Sequence, residues 1–161
     1  TKREIKMSGS LEVGSKAPDF SCAADGDRQI SLADYAGKKL VIYFYPKDDT
    51  PGCTTEAIEF TAQAGAFATA NTEIVGVSAD SVEKHEKFKT KHNLGVTLLS
   101  DPGQKMLEAY GVWVEKNMYG KKDMGIERAT FLVGEDGKIL HIWRKVRVKG
   151  HVDAVLETVG A

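Results

Sequence analysis

Leu40-Val41-Ile42-Tyr43-Phe44-Tyr45-Pro46-Lys47-Asp48-Asp49-Thr50-Pro51-Gly52-Cys53-Thr54-Thr55-Glu56 is the stretch from which both fold and chemistry follow. Leu40 to Tyr45 is a continuous apolar, β-rich run, as expected of a strand buried on both faces. A polar loop follows, and Thr50-Pro51 then marks a helix start. Proline holds the residue before it extended, as an N-cap requires, and itself fits the first helical position. Cys53 then falls at the third helical position, where backbone N–H groups lack intrahelical partners and the macrodipole is positive, so a thiolate can be held. Gly52 removes a side chain beside the sulfur and leaves room for a small substrate. The competing reading is an inert thiol in a helix start, because free cysteines are among the most buried residues.

Upstream, Pro18 to Cys22 reads as a first strand with Phe20 and Cys22 on one face, and Asp25-Gly26-Asp27 as a turn. Downstream, residues 54–70 set Ala57, Phe60, Ala64 and Phe67 at helical spacing. Ile74 to Ser78 is a second buried strand. Asp80 and Glu83 resemble a capping box that opens a helix to about His92, supported by Glu83 and Lys87 one turn apart. Thr97 to Leu99 is a short strand, and Asp101-Pro102 reads as the cap and first residue of a helix through Tyr110. Ala129–Val133 and Ile139–Trp143 flank Gly134-Glu135-Asp136-Gly137, a hairpin signal. A last helix runs from His151 to about Thr158. A βαβ unit followed by ββα predicts an α/β, thioredoxin-like fold: a mixed central sheet flanked by helices, with an N-terminal strand extension.

The 161 residues suit one domain, with 42% apolar and 28% charged residues. Residues 1–10 read as an N-terminal extension, with Met7 a candidate native start, and 11–161 as the domain. A net charge of −1 argues against nucleic acid or membrane as a partner, and no apolar run approaches the ~20 residues of a membrane span. Residues 1–16 show no secretory signal. Two cysteines, Cys22 and Cys53, without CxxC point to a reducing, cytoplasmic setting. His85 and His92 lie two helical turns apart with nothing to complete a metal site, so they read as a solvated helix face. Arg144 to Lys149 alternates charge with valine, as on an extended solvated segment. Trp113 and Tyr119 flank a polar loop, where they either line an entry or pack.

Pro46-x-x-x-Thr50-x-x-Cys53 resembles the active-site signature of peroxiredoxins, and Phe44 to Glu56 as a whole is similar to the Q-type, or bacterioferritin comigratory protein, branch. Ala17-Pro18-Asp19-Phe20, Gly76 to Ser81, Leu99-Ser100-Asp101, Lys116 to Lys121 and Gly125 to Phe131 extend the resemblance over nearly all of residues 11–158. The resemblance implies a thiol-dependent peroxidase that reduces hydrogen peroxide and small organic hydroperoxides and needs no cofactor or metal. It implies that Cys53 attacks the peroxide and becomes a sulfenic acid. Thr50 would offer its hydroxyl to the sulfur and peroxide, Arg128 a fixed cation, Pro46 a shield from water, and Glu56 a hold on Arg128. It further implies a monomer.

Ionising the thiol is the lesser part of such a task. A free thiol is only about 3% ionised at pH 7, and a pKa near 6 would raise that roughly 30-fold. Lost nucleophilicity would return about tenfold of this gain if peroxide cleavage behaves like thiol–disulfide exchange. The larger contribution is then expected from donors aimed at the breaking O–O bond.

Many Q-type members carry a resolving cysteine five residues after the first; here that position is Ile58. Residues 81–92 hold none either. Cys22 reads as a core thiol, with a resolving role the alternative. A one-Cys mechanism follows, with thioredoxin, glutathione with glutaredoxin, or a small dithiol as reductant. The rivals are a cysteine hydrolase, which needs a histidine base that no local motif supplies, and a non-catalytic thioredoxin-like binding or chaperone module.

Overall fold

A computed structural model describes residues 11–118 and 120–160. The proposed N-terminal extension, residues 1–10, and Tyr119 lie outside them. The run that opens the sequence reading becomes β3, Lys39–Phe44, and the helix after it is α1, Pro51–Thr69. Chain direction then returns through β4, Thr72–Ser78, and α2, Val82–His92, to β5, Thr97–Ser100. β3, β4 and β5 are parallel neighbours, so α1 and α2 are the crossovers that parallel pairing demands. β8, Ala129–Val133, and β9, Ile139–Trp143, add antiparallel strands beside β3, and the hairpin β1, Ser21–Ala24, and β2, Arg28–Ser31, adds to the far edge through β5. The strand order is β2-β1-β5-β4-β3-β8-β9. This is the expected mixed sheet with an N-terminal strand extension, closed by α4, His151–Gly160.

The period of two in β3 divides the core. Leu40, Ile42 and Phe44 join Cys22, Met106, Leu107 and Tyr110 on one face. Val41, Tyr43 and Tyr45 join Cys53, Phe60 and Phe67 of α1 and Val152, Val155 and Val159 of α4 on the other. The two cysteines therefore belong to different cores, with the sheet between them. Tyr43 stacks on Phe60 at 4.5 Å between ring centroids. Its ring lies over Gly76 of the neighbouring strand, where a Cβ would sit 2.6 Å from the ring. Only glycine accepts that approach.

Several boundaries differ from the sequence reading. The first strand starts at Ser21, not Pro18, though Phe20 and Cys22 are both buried as expected. The cap of α2 is Ser81, whose hydroxyl accepts from Lys84 N–H, rather than Asp80. Asp80 is turned back instead, accepting from Asp48 N–H and the Ser78 hydroxyl. The helix expected from Asp101 is reduced to α3, Lys105–Ala109, because residues 102–103 form a turn and Gln104 takes a left-handed φ of 62°. Asp101 still holds the segment by accepting from Leu107 N–H at 2.8 Å. The supposed polar loop around Trp113 is a separate two-stranded ribbon, β6, Trp113–Met118, with β7, Lys121–Ile126. Its alternation of charged and apolar residues is diluted by Lys, Glu and Asn, which hides the strand period. Residues 144–149 form a loop, with Lys145, Arg147 and Lys149 exposed and Val146 and Val148 half-buried.

Candidate active site

Thr50 caps α1 in an extended conformation, φ −89° and ψ 155°, and Pro51 opens the helix. Cys53 is thus at the third helical position, as its sequence context predicts, and is 1% exposed. Arg128 immediately precedes β8, which pairs with β3, so its side chain reaches the start of α1 from the neighbouring strand. Its Nη2 donates to Cys53 Sγ at 3.3 Å, and its Nη1 donates to Glu56 Oε1 at 2.6 Å. One planar guanidinium thus bridges thiol and carboxylate, a geometry lysine cannot copy.

Glu56 is fully buried. Burial pushes its carboxyl up, to about 7, against the pull of Arg128's charge and hydrogen bond. Its Oε2 has no hydrogen-bond partner among the described residues, which leaves that oxygen able to carry a proton. Burial works to lower Arg128, but the charges of Glu56 and Cys53 outweigh it and the guanidinium is held more firmly protonated.

One expectation changes, and another gains detail. Gly52 does leave room beside the sulfur, but Arg128 occupies it: a Cβ at 52 would lie 3.2 Å from Nη2. The glycine admits the guanidinium. The resemblance implies that Thr50 offers its hydroxyl to the sulfur and peroxide. That hydroxyl donates to Lys47 carbonyl at 2.8 Å, so its lone pairs are what it offers.

Pro46 lines a groove of about 510 Å³ together with Lys47, Ala79, Trp113, Lys116 and Met124. Trp113 both lines this groove and packs against the Cys22-side core. The Lys116 stem crosses Gly125, where a Cβ would be 3.0 Å from its Cδ. Burial, then the nearby charge of Arg128, holds the Lys116 ammonium below its usual range, while Cys53 pulls the other way.

Sequence reasoning misplaced His85 and gave no partner to His151. His85 is fully buried, not on a solvated face, with Nδ1 2.7 Å from Asp48 Oδ2 and Nε2 2.8 Å from Leu99 carbonyl. His92 does lie further out and meets Asp49 Oδ1 at 2.8 Å. His151 faces Thr130 Oγ1 at 2.8 Å, and burial first, then Arg128, holds its imidazole down at about 4. The signal that could have marked His85 is the apolar Phe88 one turn on, which places both on the inward side of α2.

Cys22 differs throughout. It is 7% exposed, its thiol donates to Met106 Sδ at 3.8 Å, and burial, then Asp101, pushes it up to about 11.

Comparison with known proteins agrees with the fold. The model of the AhpC/TSA family matches residues 13–142. The chain is similar to peroxiredoxin Bcp of Bacillus subtilis, 51% identical over 150 residues that cover 93% of this chain and 96% of that protein. Among solved structures it resembles Xanthomonas campestris peroxiredoxin Q, with a TM-score of 0.86 and 45% identity, covering 94% of this chain and 96% of that one. A second similar structure is that of the Xanthomonas campestris bacterioferritin comigratory protein, studied for its alkyl peroxide reduction activity (TM-score 0.86, 45% identity, 94% and 97% covered).

Proposed function

We propose a catalytic cycle for this chain, which belongs to the AhpC/TSA family as a peroxiredoxin of the Bcp/Q type and is a thiol-dependent peroxidase. The observation that carries the assignment of roles is the single guanidinium donating to both Cys53 and Glu56. A peroxide enters beside Pro46. The Cys53 thiolate attacks the peroxide oxygen that bears hydrogen, an S–O bond forms, and the O–O bond breaks. The leaving oxygen takes up from solvent the proton that the Cys53 thiol released on ionising and departs as water or an alcohol, and sulfur is left as a sulfenic acid. Arg128 meets the charge that moves from sulfur to oxygen, and the free N–H groups of the α1 first turn add donors to the same region. The Thr50 lone pairs accept from the hydroperoxide O–H and so orient it. Glu56 is a positioning residue, fixing the plane of Arg128. The groove beside Pro46 gives space for the organic part of a small hydroperoxide, so both hydrogen peroxide and small organic hydroperoxides are substrates.

The sulfenic acid is reduced by an external thiol. The first thiol displaces water to give a mixed disulfide, and the second releases Cys53 and a disulfide product. Cys22 lies beyond the sheet, which supports the one-Cys mechanism. Thioredoxin or glutathione with glutaredoxin is the reductant class. No helix among the described residues is long and apolar enough to cross a membrane. The cytoplasmic setting rests on two unpaired cysteines and the monomeric state on the Q-type resemblance. The test is intact and peptide mass analysis after one equivalent of peroxide with a sulfenic acid trap. The trapped mass is expected on Cys53; a disulfide between residues 22 and 53 would overturn the cycle.

A further inference from the structure

The loop that delivers Cys53, residues 46–50, is held through side chains rather than regular structure. Asp48 is buried. Its Oδ1 accepts from the Tyr45 hydroxyl at 2.6 Å, its Oδ2 meets His85 Nδ1 at 2.7 Å, and its N–H donates to Asp80 Oδ2 at 2.7 Å. Asp49, in a left-handed φ of 64°, meets Lys91 and His92 of α2. The loop is therefore tied to β5 through His85 and to α2 through both aspartates.

The hydrogen inventory of this tie is constrained. Leu99 carbonyl only accepts, so His85 Nε2 carries a hydrogen. Tyr45 already donates to Oδ1. A 2.7 Å contact between Nδ1 and Oδ2 needs a proton between them, because a neutral Nδ1 lone pair facing a carboxylate would repel. The pair shares one proton, whichever atom owns it, and every polar atom of the buried set is satisfied.

Resting on the peroxidase cycle above, we propose that Asp48 and His85 are positioning residues, a proton-bridged clasp that holds residues 46–50 in the peroxide-reactive geometry and must release for a protein reductant to reach the sulfur. Cys53 is 1% exposed. A small peroxide reaches such a sulfur, whereas a thiol on another protein needs the loop to move. The contacts that favour oxidation of Cys53 thereby oppose its reduction.

This opposition separates the clasp from a merely structural role. The rate of Cys53 oxidation by hydrogen peroxide and the rate of sulfenic acid reduction by a thioredoxin are measured separately in Asp48→Ala, Asp48→Asn and Tyr45→Phe. In Asp48→Ala, oxidation is expected to slow about tenfold while reduction quickens several-fold. Asp48→Asn is expected to restore both rates to within about threefold, since its amide donates to a neutral His85 Nδ1 and its carbonyl accepts from Tyr45. Tyr45→Phe, the milder change should Asp48→Ala fail to fold, is expected to shift both rates in the same two directions by less. Parallel loss of both rates, no change in either, or Asp48→Asn behaving as Asp48→Ala would overturn the clasp. Failure of the wild-type chain to consume peroxide would instead defeat the peroxidase cycle itself.

Discussion

Cys53 and Cys22 are both buried, both free, and both packed among apolar side chains, yet they occupy opposite chemical situations. Cys53 faces a guanidinium at 3.3 Å and the open N–H groups of a helix start. Cys22 faces a thioether, with the carboxylate of Asp101 as its nearest charge influence, and its thiol is pushed up to about 11. Burial without a cation suppresses the ionisation of Cys22. In the proposed cycle, reactivity is decided by what accompanies the sulfur into the core.

The sharpest way to break this comparison is to remove each sulfur in turn. Cys53→Ser is expected to lower peroxide consumption with dithiothreitol by at least about a thousandfold, while Cys22→Ser stays within about twofold of wild type. Substantial activity in Cys53→Ser would return the chain to the rival reading of a binding module. Next in size is the cation. Arg128→Lys is expected to cost about a hundredfold in kcat/KM for hydrogen peroxide, because a point charge cannot hold Glu56 and the sulfur in one plane. Near wild-type rates would show that charge without geometry suffices. Smaller again is Gly52→Ala, which forces Nη2 away from its 3.2 Å approach. About a tenfold loss is expected, with the fold intact by circular dichroism.

The smallest effect concerns stability against pH. Glu56 keeps its proton in the folded state up to about 7, against an ordinary value of 4.5, so its contribution is full below 4.5 and lost as pH rises through 7. His151 stays neutral in the folded state down to about 4, against 6.5, so its contribution is full above 6.5 and lost as pH falls toward 4. Glu56 is worth on the order of 3 kcal/mol and His151 less, because solvent screens it more, with opposite sign over the range the two share. Glu56→Gln is expected to expose the His151 slope, so that urea unfolding at pH 4.5 and 6.5 differs more in the variant than in wild type. An unchanged difference would mean that folding does not raise the Glu56 carboxyl over this range.

What was legible in the sequence follows the same division between local and distant causes. Thr50-Pro51 sets a helix start by backbone sterics alone, so the position of Cys53 was readable to the residue. The strands β3 and β8 were readable because near-continuous burial leaves an apolar run, and β9 because Gly134 to Gly137 marks the hairpin that leads into it. Arg128 and Glu56 were assigned by family resemblance, not spacing, since nothing local shows that a residue before β8 reaches α1. His85 was misplaced because partners on the loop at Asp48 and on β5 satisfy it, and periodicity alone does not reveal a polar residue whose partners lie elsewhere. The ribbon of β6 and β7 was missed because it stands off the main sheet and lacks a strong apolar alternation.

The sheet that separates the two sulfurs also sets a clock. In the proposed cycle, once Cys53 holds an oxygen, no thiol on its side of the sheet relieves it, and the intermediate waits for an encounter in solution. A second peroxide arriving first would carry it to sulfinic acid, beyond recovery by ordinary thiols. The working lifetime of each molecule is then a race between two diffusing reactants. The ratio of reductant to peroxide around the protein, more than either rate alone, would decide how many turnovers it completes.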